Sequence, residues 1–189
     1  MSSLEYLRKV TLGKIETDPE IKLVPYDPEW PVYFEEERQR IVKALGKMAL
    51  CVEHVGSTSI AGLSAKPIID ILLIVPDTTN EAAYVPQLEA AGYRLRIREP
   101  EWHQHRMFYG SAHRLHCHVF SQGDSEAQQM LLFRDWLRID EADRRKYQET
   151  KETLAKKSWA TRQDYADAKG PVITEIKAHA AAYFAKTSQ

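Results

Sequence analysis

Asp70 stands within "IIDILLIV", a run whose other side chains are all aliphatic, and twelve residues separate it from Ser57 of a Gly56-Ser57 pair. A carboxylate inside such a strand is costly unless it is paired, solvated at a cleft or bound to a cation. A Gly-Ser turn that ends one strand and opens a short helical or looped segment, "STSIAGLSA", can offer bare amides and the hydroxyls of Ser57, Thr58 and Ser59 to an anion. The separation allows a reversal, so the strand carrying Asp70 can lie beside the strand ending at Gly56, with both features at one end of a sheet. The plain alternative is an Asp70 that pairs with Lys66 or an arginine and serves stability alone.

His116 and His118 in "LHCHVF" alternate with Leu115, Cys117 and Val119, which sends both imidazoles to one face. Beside the Asp70 strand they would form an Asp-His-His set. One carboxylate with two nitrogens suits Zn²⁺, Mn²⁺ or Fe²⁺ better than Mg²⁺. Neutral histidines can instead act as a general base or bind substrate, or simply cover a solvated strand face. Five of the seven histidines lie between residues 103 and 118, and the spacing of His103 and His105 repeats that of His116 and His118, as suits cross-strand neighbours. Glu53 and His54 point to opposite faces, so one of them faces the cleft.

Further candidates are basic. Arg106 follows Trp102, His103 and His105, and an aromatic beside basic groups can stack a base and hold phosphate, or can be ordinary surface. Arg134 in "LLFRDWLR" suits bidentate phosphate or carboxylate binding, with a surface pair to Asp135 as the alternative. Lys169 follows "DYADA", where Asp164 reads as a helix cap. Lys66, at the entry to the acidic strand, reads as structural or salt-bridging.

The elements that must position these residues follow from periodicity. Residues 1–20 read as an N-terminal appendage holding a short helix that ends near Gly13, and 21–189 as a single domain. "IKLV" suggests a brief strand. A helix begins near Pro31 with Phe34, Ile41, Val42 and Leu45 on its apolar face, and ends at Gly46. "ALCVEHVG" and "KPIIDILLIVP" are strands, the second apolar on both faces and so inside a sheet. A helix closed by Gly92 follows, then "RLRIRE", whose Arg94, Arg96 and Arg98 form an outer basic face. Two strands join around Gly110 to His113, and helices follow: Ala127 to Leu137, a charged one through Leu154, and one after Pro171. This order predicts an α+β domain with a mixed sheet and a C-terminal helical pack.

Net charge is −1 over 189 residues, with 28% charged residues of both signs interspersed, so any phosphate chemistry is local and a nucleic-acid track is not expected. Cys51 and Cys117 lie in apolar strands and read as core residues. No signal-peptide pattern or long apolar span is present, which predicts a soluble cytoplasmic protein away from membranes.

"VPYDPEWPVYFEEERQRI", "EHVGSTSIAGLSAKPIIDILLIV", "LHCHVF", "LLFRDWLR" and "DYADAKGPVITEI", spread between about Ile21 and Phe184, together resemble the GrpB family, small proteins placed in the nucleotidyltransferase superfamily. The resemblance implies a polymerase-β-like mixed sheet in which a hydrophobic-Gly-Gly/Ser turn precedes an acidic-hydrophobic-acidic strand whose acids hold Mg²⁺ and a nucleoside triphosphate. Val55-Gly56-Ser57 and Asp70-Ile71 match this pattern. Leu72 stands where the second acid belongs, on the same side of the strand as Asp70, so the two-metal arrangement is incomplete. The expectation is metal-assisted nucleotidyl transfer, with Asp70, His116 and His118 as metal and catalytic residues and Gly56, Ser57, Thr58, Ser59, Arg106, Arg134 and Lys169 binding a nucleotide or other phosphorylated small molecule. The cofactor is a divalent metal, Mg²⁺, Mn²⁺ or Zn²⁺. Two alternatives stand beside it: a non-catalytic nucleotide-binding module, since some family members are joined to a dephospho-coenzyme A kinase domain though this chain has no P-loop, and a repurposed enzyme for a small biosynthetic substrate. A homodimer is left open.

Overall fold

The computed structural model describes residues 2–15, 20–110 and 112–187. Five strands, β1 (Cys51–Val55), β2 (Ile69–Val75), β3 (Arg94–Glu99), β4 (His105–Tyr109) and β5 (Leu115–Ser121), form one sheet in the order β1-β2-β5-β4-β3. The β2–β5 pair is parallel and the other pairs are antiparallel. Among the described residues, seven α-helices surround the sheet: α1 (Ser3–Val10), α2 (Trp30–Leu45), α3 (Val85–Ala90), α4 (Ser125–Ile139), α5 (Glu141–Ala155), α6 (Arg162–Ala168) and α7 (Gly170–Thr187). This is the α+β arrangement that the order of sequence patterns predicts.

Alternation along β2 and β5 separates two unlike faces. Ile69, Ile71, Leu73 and Val75, with Leu115, Cys117 and Val119, join the main core with Trp30, Ile41 and Leu45 of α2 and Leu88 of α3. On the other face Leu72 and Phe120 pack with Val55 and Ala127 beneath α4, while α4, α5 and α7 share a separate apolar cluster. Asp70, His116 and His118 lie on this second face. Cys117 is a core residue as expected, and burial pushes its thiol well above the usual range, whereas Cys51, also free, is only half-buried and lies outside the core clusters.

Four local expectations change. "IKLV" makes only an isolated bridge, Val24 to Ala65, because Ile21 and Leu23 are drawn into a cluster with Leu154 and Tyr165. Pro86 starts α3 afresh after a 3₁₀ turn at Glu81–Ala83, so the segment before Gly92 is two short pieces. Val42 of α2 is exposed, and Glu37 takes the buried position, bonded to the Tyr93 hydroxyl at 2.5 Å and to Arg40 at 2.9 Å. The basic face of β3 does not exist, because a register shift between Leu95 and Ile97 breaks the alternation. Arg96 is 7% exposed and donates to the Lys14 carbonyl, and Arg98 forms a bidentate pair with Glu81.

The N-terminal segment crosses the sheet edge. Thr11 bridges Ile97, the Leu12 amide donates to the Arg96 carbonyl at 2.7 Å, and the Ser3 hydroxyl donates to Asp164 at 2.6 Å. The last contact ties α1 to α6, where Thr161 and Asp164 form a capping box. Met1, residues 16–19 of the expected appendage, Ser111 of the β4–β5 turn and residues 188–189 lie outside the described residues.

Candidate functional site

The β1–β2 ladder places Val55 opposite Asp70, so the chain turns at Gly56 directly over the carboxylate. Gly56 has φ +68°, and a Cβ there would run into the Asp70 carboxylate, only 2.9 Å from the Asp70 Cβ. Glycine is therefore required twice, by backbone conformation and by close approach. The parallel register sets Asp70 beside His116 and Leu72 beside His118. Asp70 Oδ1 is 3.5 Å from His116 Nδ1 and 3.8 Å from His118 Nε2. Burial alone would raise the Asp70 pKa, but the two histidines' hydrogen bonds and charge hold it well below the usual carboxylate range.

One ligand atom from each of these three residues lies within 4.8 Å of the others. Donors about 2.0–2.2 Å from a tetrahedral metal stand roughly 3.3–3.6 Å apart, close to the observed spacing. A further layer supports His118. Its Nδ1 is 3.1 Å from His105 Nε2, and His105 Nδ1 is 2.5 Å from Glu99 Oε2. Burial lowers the His105 pKa more strongly than Glu99 raises it. Were Glu99 to accept from His105 Nδ1, and His105 Nε2 from His118 Nδ1, the His118 Nε2 lone pair would be left for a metal in place of a hydrogen bond to Asp70. The His105–His118 contact is diagonal, because the residue opposite His118 is Met107.

A pocket of about 130 Å³ opens beside the Gly56-Ser57 turn, and Lys66, Lys151, Lys169, Tyr147 and Tyr165 share its wall with Asp70 and His116. Lys151 Nζ donates to Ser57 Oγ at 3.3 Å and to the Ser64 carbonyl. The ammonium groups of Lys66 and Lys169 lie 5.7 and 4.9 Å from the Tyr165 ring centroid, and that of Lys151 lies 4.9 Å from the Tyr147 ring. Desolvation, with mutual repulsion from Lys169, pushes Lys151 down to about 7 and Lys66 down to about 8. Burial lowers Lys169 also, against the pull of Asp70. The Tyr165 hydroxyl is buried with no hydrogen-bond partner among the described residues. Three desolvated lysines on the wall of one pocket beside a Gly-Ser turn are a chemistry that could hold an anion.

A larger cleft of about 710 Å³ adjoins the lysine pocket, with His105, His116 and His118 in its wall together with residues of α1, β3, β4 and α6. At its rim Trp102 is followed by His103 and Gln104, with φ of 54° and 49°. Two successive non-glycine residues in the left-handed region cost about 1–3 kcal/mol each.

Not every expected residue reaches these pockets. Thr58 lines the lysine pocket, but its buried hydroxyl is 3.0 Å from His54 Nε2 and donates to the Ile68 carbonyl at 3.2 Å. Burial pushes that histidine down to about 4. Ser59 turns inward to donate to the Gly56 carbonyl at 2.6 Å. Arg106 is on the opposite face of β4 from His105 and pairs with Glu81 at 2.5 Å. Arg134 clasps the end of β1 through Glu53 and the His54 carbonyl, at 2.7 and 3.0 Å, and pairs with Asp135. Neither arginine lines either pocket. Lys66, read as structural, and Lys169 both do. Lys151 and Tyr147 carried no signal as isolated residues in a charged helix. Their spacing with Leu154 (i, i+4, i+7) was the available clue, since it marks one buried stripe.

Leu72 is 0% exposed, packed against Val55, Phe120 and Ala127. The position of a second acid is thus filled by apolar packing under α4, not open to the cleft.

The mixed sheet with helices on both faces and a site at the strand ends defines an α+β protein whose chain belongs to the GrpB family: the family described as GrpB protein matches residues 20–179. UPF0157 protein BH1888 of Halalkalibacterium halodurans is 52% identical over 173 residues, covering 91% of this chain and 89% of that one. UPF0157 protein SCO7215 of Streptomyces coelicolor is 45% identical over 163 residues, covering 86% of each. The crystal structure of the conserved protein GrpB from Enterococcus faecalis superposes with a TM-score of 0.76 at 30% identity, covering 86% of this chain and 99% of that one. Among the described residues no helix is long and apolar enough to cross a membrane.

Proposed function

We propose that this protein binds a nucleotide at the Gly56-Ser57 turn and transfers its nucleotidyl group to a small acceptor. The observation that carries the reading is the pocket beside that turn, whose wall brings Lys66, Lys151 and Lys169 together with Asp70 and His116. The lysines and Ser57 hold the outer phosphates and neutralise charge that grows on the leaving pyrophosphate. The acceptor oxygen forms a bond to the α-phosphorus as the bond to pyrophosphate breaks, and one proton is released. Asp70, His116 and His118 are the residues that would hold a divalent metal, and their donor set favours Zn²⁺ or Mn²⁺ over Mg²⁺. When bound, such an ion supplies charge stabilisation at a phosphoryl oxygen.

The burial of Leu72 supports a second reading, a module that binds the nucleotide without turning it over. Incubation with each labelled nucleoside triphosphate and Mg²⁺, Mn²⁺ or Zn²⁺ separates the two. Pyrophosphate release supports transfer, binding without release supports the module, and failure of every nucleotide and of tripolyphosphate to bind overturns both.

A further inference from the structure

The lysine pocket leaves the larger cleft unexplained. At about 710 Å³ it is far larger than a metal and its waters require, and it falls within the range of about 300–1,000 Å³ typical of small-molecule sites. Its wall carries Tyr6, Ile97, Trp102, Met107 and Tyr109. The indole of Trp102 is 43% exposed. Its ring contacts, to His103, His105 and Phe120, all meet at 69–85°, so no ring among the described residues lies parallel to it. The left-handed pair His103-Gln104 follows it directly and fixes where the loop presents it. An exposed indole beside a ready cleft, held by an unfavourable backbone turn, is a stacking surface without its partner.

The two pockets also share a wall, since Lys66, Ile68 and His116 line both. A ligand in the larger cleft therefore meets His116 and His118 directly, with Lys66 on the wall it shares with the lysine pocket. We infer that this cleft receives a flat ring system that stacks on Trp102, with Tyr6 of α1 contributing to the wall around it. α1 lies outside residues 20–179, which match the family. The ring is either the base of the nucleotide or part of a separate acceptor. Only that choice rests on the reading of the lysine pocket as the phosphate end.

The test titrates the full chain calorimetrically with adenosine, uridine and indole as ring probes, with tripolyphosphate as the phosphate probe, and with ATP and UTP. At least one ring probe is expected to bind, and Trp102→Ala to weaken it about tenfold, the size typical of losing one base–aromatic stack. Lys151→Met is expected to leave ring binding unchanged and to weaken tripolyphosphate. If the base of the nucleotide supplies the ring, a triphosphate loses affinity in both variants. If an acceptor supplies it, triphosphate affinity falls only in Lys151→Met, and the ring probe still binds in saturating tripolyphosphate. Trp102→Leu gives the same reading should Trp102→Ala fail to fold. The inference is overturned if no ring probe binds, or if a folded Trp102 variant leaves ring affinity unchanged. Tripolyphosphate that fails to bind, with ring binding intact, removes the phosphate reading and leaves this one standing.

Discussion

Gly56 and Asp70 are in contact across the β1–β2 ladder so closely that no side chain fits between them. The turn and the acid are one unit, and Gly56 reports on it. Gly56→Ala is expected to destabilise the protein by at least about 2 kcal/mol, from left-handed strain plus the collision with Asp70. Gly123 has a similar φ of +81° with open space around it, so Gly123→Ala should cost about half as much. Gly56 also has ψ −175°, a region that is essentially glycine-only, so backbone strain and the Asp70 contact both add to its loss. Urea unfolding of both variants checks the ranking, and equal losses would overturn it.

The Glu99–His105–His118 chain makes a prediction about metal affinity. Glu99→Gln leaves every proposed ligand in place but removes the carboxylate that sets the His105 tautomer. Zn²⁺ affinity measured against a competing chelator is expected to fall roughly 10- to 100-fold. His118→Ala should fall further, and an unchanged affinity in Glu99→Gln would remove the relay from the account.

Lys151 ties stability and binding to pH. Its folded pKa of about 7 lies below the ordinary 10.5, so between those values the unfolded chain binds more protons than the folded one. Stability contributed through this group therefore rises with pH across about 7 to 10.5, as the cost of the buried charge disappears. Lys151→Met should flatten that slope in urea unfolding. Anion binding runs the other way: it needs the protonated lysine, so tripolyphosphate affinity should fall by about tenfold per unit above pH 7 and binding should take up protons. Identical heats in buffers of different ionisation enthalpy would contradict this.

Leu72→Asp supplies the second acid of the nucleotidyltransferase pattern on the right side of the strand. It also places a charge among Val55, Phe120 and Ala127 with no partner among the described residues. A loss of roughly 3–5 kcal/mol is expected, without a gain in Mg²⁺ binding. A stable variant that binds two Mg²⁺ ions would refute this account of the packing.

The strands that build the site were legible because their alternation is strict: "LHCHVF" and "IIDILLIV" each send one set of side chains to the main core and the other to the second face, where Asp70, His116 and His118 meet while Leu72 and Phe120 pack under α4. The turn at Gly56 was legible for the same reason, since its chemistry is local to a few residues. What sequence could not give was the side from which other elements approach. Arg106 looked equivalent to its histidine neighbours, yet one step along a strand reverses the face. Arg134 looked free to bind phosphate, but Glu53, 81 residues away in the chain, already occupies it. Arg96 looked solvated until a bulge turned it inward. The lysine pocket assembles from the strand entry, α5 and the end of α6, and no window of sequence holds all three.

The packing around Leu72 also bears on how such a site changes over time. With the apolar underside of α4 packed against Leu72, a substitution that introduces an acid there meets a closed interior. Residues such as Ala127, Met130 and Leu131 would have to be recut together with it. The histidine side of Asp70 carries no such debt, because it opens on the cleft. New chemistry in this scaffold is accordingly most accessible through His105, His116 and His118.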